Sequence, residues 1–330
     1  MWPATTPCGR GADVWKFIGG KILHVIPVVL IVSFAAMFLI NLIPGNPAYA
    51  ILGVQATPGQ VRIVDNQLGL NKPLVVRYIE WLGGIFHGNF GTSLFTQQPV
   101  FSTIITRLPV TLELAVLGEL IALLIAIPLG VLTAYRAGSV FDRSSRAVAA
   151  ILVSAPGFLT GLLLAYIFGV KLAVLPVTGW VPLAQGIGEN LRFALLPSVT
   201  LALAQIPIFM QLLRADMIAT LQEDFVLAAR AKGLPTRAVL VRHALRPSMF
   251  SLLTLSGVSL GTLLGGTVIV ESIFSLPGIG SLLIQSIFNK DFITVQGIAI
   301  FIALAYVFIN IVVDIGYGVL DPRIRRRSTA

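Results

Sequence analysis

Charged side chains are scarce in this chain: only 11% of its 330 residues are Asp, Glu, Lys or Arg, whereas 56% are hydrophobic. A folded surface in water carries about 25% charged residues, so the composition excludes a soluble globular fold and indicates that lipid covers much of the exterior. The single cysteine, Cys8, excludes an intrachain disulfide and a zinc site built from several cysteines. Neither a phosphate-binding G-x-x-x-x-G-K-[ST] nor an H-E-x-x-H motif occurs, so ATP hydrolysis and zinc-protease chemistry are not expected of this chain.

Long apolar runs are abundant, and a membrane-spanning helix needs about 20 mostly apolar residues. Six charge-poor stretches reach that length, approximately at 22–43, 108–135, 147–170, 195–213, 249–270 and 295–318. The first could also be a secretory signal, but signal cores are only about 7 to 15 residues long, which favours an uncleaved anchor. The fold class predicted is therefore an all-α membrane protein with six transmembrane helices.

Basic residues are distributed unevenly around these spans. Sixteen of the 23 lie in the N-terminal segment 1–21, the turn after span two, the loop of about 214–248 after span four, and the tail 321–330. Nucleic-acid binding could also explain the basic excess, but with this hydropathy the positive-inside rule explains it better and places both termini in the cytoplasm. The outer loop, about 44–106, follows the first span, and 73–82 within it has the apolar periodicity of a helix.

The inner loop after span four has the pattern of two helices separated by a turn. Alanine-rich residues favour a helix that ends near Lys232, Gly233 can supply a left-handed cap, and Pro235 suits the start of a second helix that Pro247 should stop. An ordinary solvated loop with a basic face is the alternative that spacing alone leaves open.

This inner loop resembles the EAA loop of ABC importer permeases of the dipeptide and oligopeptide branch, whose relatives also handle nickel. The similarity rests on 229–234 (Ala-Arg-Ala-Lys-Gly-Leu) and 243–247 (His-Ala-Leu-Arg-Pro), although Leu227 stands where the general pattern has glutamate. Further similar stretches are Ile-Pro-Gly-Asn-Pro-Ala at 43–48, Pro-Gly-Ile-Gly at 277–280 and Leu-Asp-Pro-Arg at 320–323. The long outer loop and the chain's ending resemble the B-type subunit.

The resemblance implies the ABC importer permease fold over 22–320 and a non-catalytic role in a bacterial inner membrane. It implies partners as well: a homologous C-type permease, two cytoplasmic ATPases that carry ATP and Mg, and an extracytoplasmic peptide-binding protein. The coupling helix would dock on an ATPase. The coupling residues expected from it are Ala228, Ala229, Arg230, Lys232, Gly233, Leu234 and Pro235.

A serine-hydrolase signature, G-x-S-x-G, occurs at 257–261. A nucleophile elbow requires a strand-to-helix turn, whereas this stretch lies in a predicted apolar helix, so catalysis is not expected. Gly257, Gly261 and Gly265 instead form a stripe of small residues that allows close helix packing. Because the family that this chain resembles places span five beside the pore, the resemblance implies that the same stripe can also face the partner permease.

Polar side chains within spans are functional candidates because burying them in lipid costs free energy. Candidates for the translocation path are Glu119, Gln205, Gln211 and Glu271. A stand-alone ion-coupled transporter is the alternative function, but it would need deep paired carboxylates, and only Glu119 lies deep.

Overall fold

The computed structural model describes residues 26–27, 29–38, 47–53 and 55–320. The predicted segments 1–21 and 321–330 lie outside these residues, as do both ends of the predicted span 22–43. Among the described residues the regular structure is helical, and the only strand-like pairing is an isolated bridge between Thr92 and Pro99. The principal helices are α1 (Val29–Phe38), α2 (Pro47–Leu52), α3 (Pro58–Gln67), α4 (Leu74–Phe86), α5 (Val100–Tyr135), α6 (Val140–Ser154), α7 (Gly157–Leu164), α8 (Ile187–Thr220), α9 (Asp224–Ala231), α10 (Thr236–Ala238), α11 (Arg246–Ile273), α12 (Ile279–Phe288) and α13 (Phe292–Leu320).

Four helices are long and apolar enough to cross a membrane by themselves: α5, α8, the continuous helix Thr236–Ile273, and α13 over Phe292–Val313. The predicted third span is not one straight helix, because α6 and the helical stretch Gly157–Lys171 meet at 102° and count as a fifth span only together. The bend follows from Pro156, since the residue before a proline avoids helical geometry and Ala155 is extended.

The described residues form two compact units, one drawn from Met1–Thr103 with Ser286–Ala330 and the other formed by Ile104–Gln285. In the first unit, the predicted outer-loop helix is confirmed as α4. The Tyr78 hydroxyl of α4 lies 2.7 Å from Ser33 Oγ of α1, and the Tyr78 ring meets Phe34 edge-on at 5.4 Å. α3 begins with a capping box in which Thr57 and Gln60 satisfy each other's backbone N–H groups.

The core of the second unit surrounds α8. Its large side chains Phe209, Met210, Leu213 and Met217 are almost fully buried. Small residues on α5 recur every fourth position and face α8: an added Cβ at Gly118 or Gly130 would lie 3.0 Å from a leucine of α8, and Ala122 and Ala126 are fully buried in the same core. In lipid the hydrophobic effect does not drive helices together, so their association depends on close packing. Small residues at this spacing allow the two apolar helices to approach closely enough for it. The stripe of small residues predicted from the sequence, Gly257, Gly261 and Gly265, lies on a different helix, α11.

Candidate functional site

The inner loop contains the predicted short helix, α9. Glu223 precedes it in an extended conformation, Asp224 lies in its first turn and Arg230 in its last. This arrangement places negative charge at the positive end of the helix dipole and positive charge at the negative end. An eight-residue helix is too short to be stable alone, so its conformation depends on its ends and on the packing of its inner face.

Gly233 ends α9 in a left-handed conformation with φ of +75°, which confirms the cap predicted from the sequence. Its N–H donates to the carbonyl of Arg230 at 2.9 Å, and the N–H of Leu234 donates to the carbonyl of Ala229 at 3.3 Å. Together these are the two hydrogen bonds of a Schellman motif. The turn therefore satisfies two carbonyl groups that would otherwise be unpaired, and it directs the chain toward Pro235.

The two faces of α9 differ. Val226 and Ala229 are buried, and the helix packs on the segment Val239–Leu245. Ala229, expected among the coupling residues, is only 6% exposed, so its side chain supports α9 from within and is not part of an outer contact surface. The expected residues that are exposed are Ala228, Arg230, Lys232, Gly233, Leu234 and Pro235.

Two large apolar side chains that were not among the expected coupling residues are exposed beside them. Phe225 and Leu227 are about half exposed, at 49% and 48%. The i, i+3 spacing of the apolar residues Val226 and Ala229 could have revealed the exposure of Leu227 in the sequence, because it assigns the intervening positions to the outer face. The outer surface of α9 thus combines apolar side chains with Asp224 and Arg230, and the basic residue Lys232 follows directly at its C-terminal end.

The second helix of the loop differs from the prediction at both ends. Pro235 is extended and precedes the helix, which begins at Thr236 and continues through a π-helical segment, Val239–Leu245, into α11. Pro247 does not stop it. Pro247 lies in the first turn of α11, directly after the π-helical turns, where the regular i to i−4 pattern is already interrupted and a missing N–H costs little.

Two side-chain contacts lie near the end of α8 from which the inner loop begins. Thr220, the last residue of α8, shares a hydrogen bond of 3.0 Å between hydroxyl groups with Ser248 at the start of α11. Arg214, two turns before the end of α8, pairs with the buried Asp142 of α6. From the sequence, Arg214 was expected only as one of the basic residues of the inner loop, and Asp142 was not expected to be functional.

Glu119 and the serine-hydrolase signature meet in the structure. Ser259 Oγ of α11 lies 2.7 Å from both carboxyl oxygens of Glu119 on α5, and Glu119 is 3% exposed. The signature lies inside a continuous helix, as expected from the sequence, and its serine bonds to a carboxyl group and to the carbonyl of Ser256. The contact joins α5 to α11 and gives Glu119 a polar partner within the chain.

Glu271 lies in the last turn of α11, and its carboxyl group meets the start of α12. Its side chain is fully buried, Thr111 Oγ1 donates to Oε1 at 2.7 Å, and the backbone N–H of Ser281 donates to Oε2 at 3.0 Å. Thr111 Oγ1 in turn accepts the N–H of Ile279 at 2.9 Å. A Cβ on Gly278 would overlap the Glu271 carboxylate, so the Pro-Gly-Ile-Gly stretch is what allows the helix end to close over this acid.

The other two path candidates, Gln205 and Gln211, both lie on α8. Gln205 is half-buried and Gln211 is exposed on α8.

The glycine stripe of α11 is divided: Gly257 and Gly261 are buried, whereas Gly265 is exposed and a Cβ placed there would meet nothing within 4 Å. Gly257 and Gly261 therefore pack within the chain, and Gly265 lies on an uncovered part of α11. Among the described residues, no group of three or more His, Cys, Asp or Glu side chains is suited to hold a metal.

Comparison with known proteins gave matches over most of the chain. Residues 126–326 match the family described as the binding-protein-dependent transport system inner membrane component, and residues 14–115 match the N-terminal part of such membrane components. A protein of Brucella abortus (strain 2308) that carries the name of a peptide transport system permease is 39% identical over 305 residues, which cover 92% of this chain and 97% of the relative. A glutathione transport system permease protein of Salmonella typhi is 33% identical over 310 residues, covering 94% and 99%. The solved structure of an amino acid ABC transporter with histidines is similar over 67% of this chain and 94% of the transporter's chain, with a TM-score of 0.48 and 17% sequence identity.

Proposed function

Because the chain belongs to the family of binding-protein-dependent transport system inner membrane components, we propose that it is one of two permeases in an ATP-driven importer and forms half of the path for peptides. The observation that carries the proposal is agreement between family and local structure. The family match covers the inner loop, and there the chain folds as a short capped helix with an exposed apolar and basic face.

The surface of α9 supports docking on a protein better than binding to lipid. A lipid-binding patch depends on charge, at about 1 kcal/mol for each Lys or Arg near an anionic surface. Phe225 and Leu227 are held outward by a rigid Schellman turn and by the buried residues Val226 and Ala229. A preformed apolar helix face of this kind fits a groove on a protein.

In this proposal the cytoplasmic side contains α9, both termini and the predicted segments 1–21 and 321–330, in accord with the distribution of basic residues. The outer loop of about 44–106 lies on the opposite side, where an extracytoplasmic binding protein delivers the peptide. Two cytoplasmic ATPases bind ATP and Mg, a second, homologous permease completes the path, and this chain contributes no catalytic residue. Closure of the ATPases displaces α9, and the movement reaches α8 and α11, opening the path outward.

Cargo is proposed from the relatives, which are named for peptide and glutathione transport. Nickel stays a cargo to be tested because the sequence resemblance includes that branch.

Reconstitution tests the whole proposal. The chain, its companion permease and both ATPases are purified together in proteoliposomes with the binding protein in the lumen or bath that faces the outer loop. We expect uptake of a labelled tripeptide or glutathione only when ATP, Mg and the binding protein are all present. Uptake driven by an ion gradient without ATP would instead establish the stand-alone transporter.

The matched control is the same complex with the phosphate-binding lysine of the ATPases replaced, which leaves this chain unaltered. Peptide uptake should stop while peptide binding to the binding protein is unchanged. Competition with unlabelled dipeptide, glutathione and Ni²⁺ then ranks the cargo classes, and competition by Ni²⁺ alone would overturn the peptide assignment.

A further inference from the structure

Asp142 and Arg214 form a buried ion pair between α6 and α8. Arg214 Nε lies 2.7 Å from Asp142 Oδ1, and the terminal nitrogen Nη2 lies 2.8 Å from Oδ2. The Asp142 side chain is fully buried and that of Arg214 is 19% exposed. Two parallel N–H···O bonds in a planar fork define an orientation as well as a distance.

The local structure of α6 prepares Asp142 for this contact. Gly138, with φ of +82°, directs its N–H to Asp142 Oδ2 at 2.9 Å, and Ser139 Oγ caps the helix by accepting the N–H of Asp142 at 3.2 Å. Arg146, one turn later, adds a longer contact of 3.5 Å to Oδ1. The carboxylate is therefore held in place by its own turn before Arg214 reaches it.

Stability alone is a poor explanation for such a pair. Replacing a buried ion pair with apolar side chains of similar size is often neutral or stabilising, because two charges must be desolvated to form it. α6 and α8 already pack together, and Phe209, Leu213 and Met217 supply apolar contacts on α8. What the ion pair adds is a directional link between the first turn of α6 and the inner end of α8.

The position of Arg214 connects this link to the inner loop. Arg214 lies six residues before the last residue of α8, which corresponds to about 9 Å along a helix. Only Leu221, Gln222 and Glu223 separate α8 from α9. A displacement of α9 therefore reaches Arg214 through a short connection and one rigid helix end.

We propose that Asp142 and Arg214 are positioning residues for coupling: they make α6 move with the inner end of α8 when α9 is displaced, so that movement at the ATPase reaches the α6–α7 half-spans. This inference rests on the proposed function. The bend at Ala155–Pro156 separates α6 from α7, and α7 has packing contacts of its own with α8 and α11. The ion pair thus sets how closely α6 follows the inner end of α8.

The test compares Arg214→Lys and Asp142→Asn with Arg143→Gln, in the complete transporter in proteoliposomes. Arg214→Lys retains the charge but loses the planar fork, and Asp142→Asn retains the shape but loses the charge. Arg143→Gln removes one positive charge from the exposed face of the same helix. For each variant, tripeptide transported per ATP hydrolysed is measured on complexes that assemble to the wild-type stoichiometry.

We expect the first two variants to hydrolyse ATP but to transport fewer peptides per ATP, by at least about fivefold, the lower end of typical coupling between sites. Arg143→Gln should stay at the wild-type ratio. Asp142→Asn combined with Arg214→Lys should be no worse than the poorer single variant, because both changes break one contact. An unchanged ratio, an equal loss in Arg143→Gln, or losses that multiply in the double variant would each overturn the inference.

A second measurement keeps the proposal falsifiable if the variants fail to assemble. Spin labels at the exposed positions Val148 on α6 and Ala219 on α8 report the distance between these helices with Asp142 and Arg214 intact. The distance distribution should be the same without nucleotide and with ATP and vanadate. A clear shift on trapping would show that α6 does not follow α8, and a wild-type complex without ATP-driven uptake would refute the proposed function itself.

Discussion

Replacing Gly233 with valine tests the turn on which the coupling assignment depends. At φ of +75° an L-residue with a side chain is strained, by about 1–2 kcal/mol, and a β-branched one is disfavoured most. A Cβ at Gly233 would meet nothing within 4 Å, so no steric clash contributes and the whole effect comes from the backbone. Relaxation of φ would break the hydrogen bonds that the N–H groups of Gly233 and Leu234 donate to close the turn. We expect a shift of about 5- to 30-fold toward an uncapped loop.

The assay compares peptide uptake and membrane abundance for Gly233→Val and Gly233→Asn. Asparagine is the matched control because it tolerates the left-handed conformation better than other residues with side chains. Uptake should fall strongly in the valine variant and little in the asparagine variant, whereas abundance should be similar in both. Equal uptake by the two variants would refute the argument that this left-handed turn positions α9.

Substitutions in α9, before α12 and in the two loops test the remaining assignments. Ala228→Trp, at an exposed position of α9, should weaken pull-down of the ATPases while the membrane abundance of the chain stays normal. Ala229→Trp, at a buried position, should instead reduce that abundance. The opposite pattern would show that the faces of α9 are misassigned. Gly278→Ala should lower the free energy of unfolding by about 1–3 kcal/mol because the added methyl group overlaps the Glu271 carboxylate. Gly188→Ala is the control and should not lower it, because a Cβ at Gly188 meets nothing within 4 Å. Equal melting temperatures of the two variants in detergent would contradict this. In a Cys8→Ser background, cysteine at Thr96 should react with an impermeant maleimide from outside and cysteine at Thr236 should not, and reversed labelling would invert the proposed orientation.

Local features of the inner loop could be predicted from the sequence because each depends on residues only a few positions apart. Helix propensity, charge at the helix ends and the need for glycine at a left-handed position all act within 224–233. The end of the second helix was harder to predict from the sequence. Pro247 was expected to end it, since a proline stops a regular α-helix, but the π-helical turns of Val239–Leu245 precede the proline and accommodate it.

The hydropathy of the chain by itself determined that the protein is helical and lies in a membrane, because lipid offers the backbone no hydrogen-bonding partners and only long apolar segments are stable there. Which polar residues meet was decided by tertiary structure. Glu119 with Ser259, Glu271 with Thr111, and Asp142 with Arg214 are separated by 140, 160 and 72 residues. Hydropathy describes each residue's preference for lipid or water, and many helix arrangements satisfy the same set of preferences. A buried carboxyl group gains its specific partner only after the helices have packed, so the identity of that partner is a property of the packed helices.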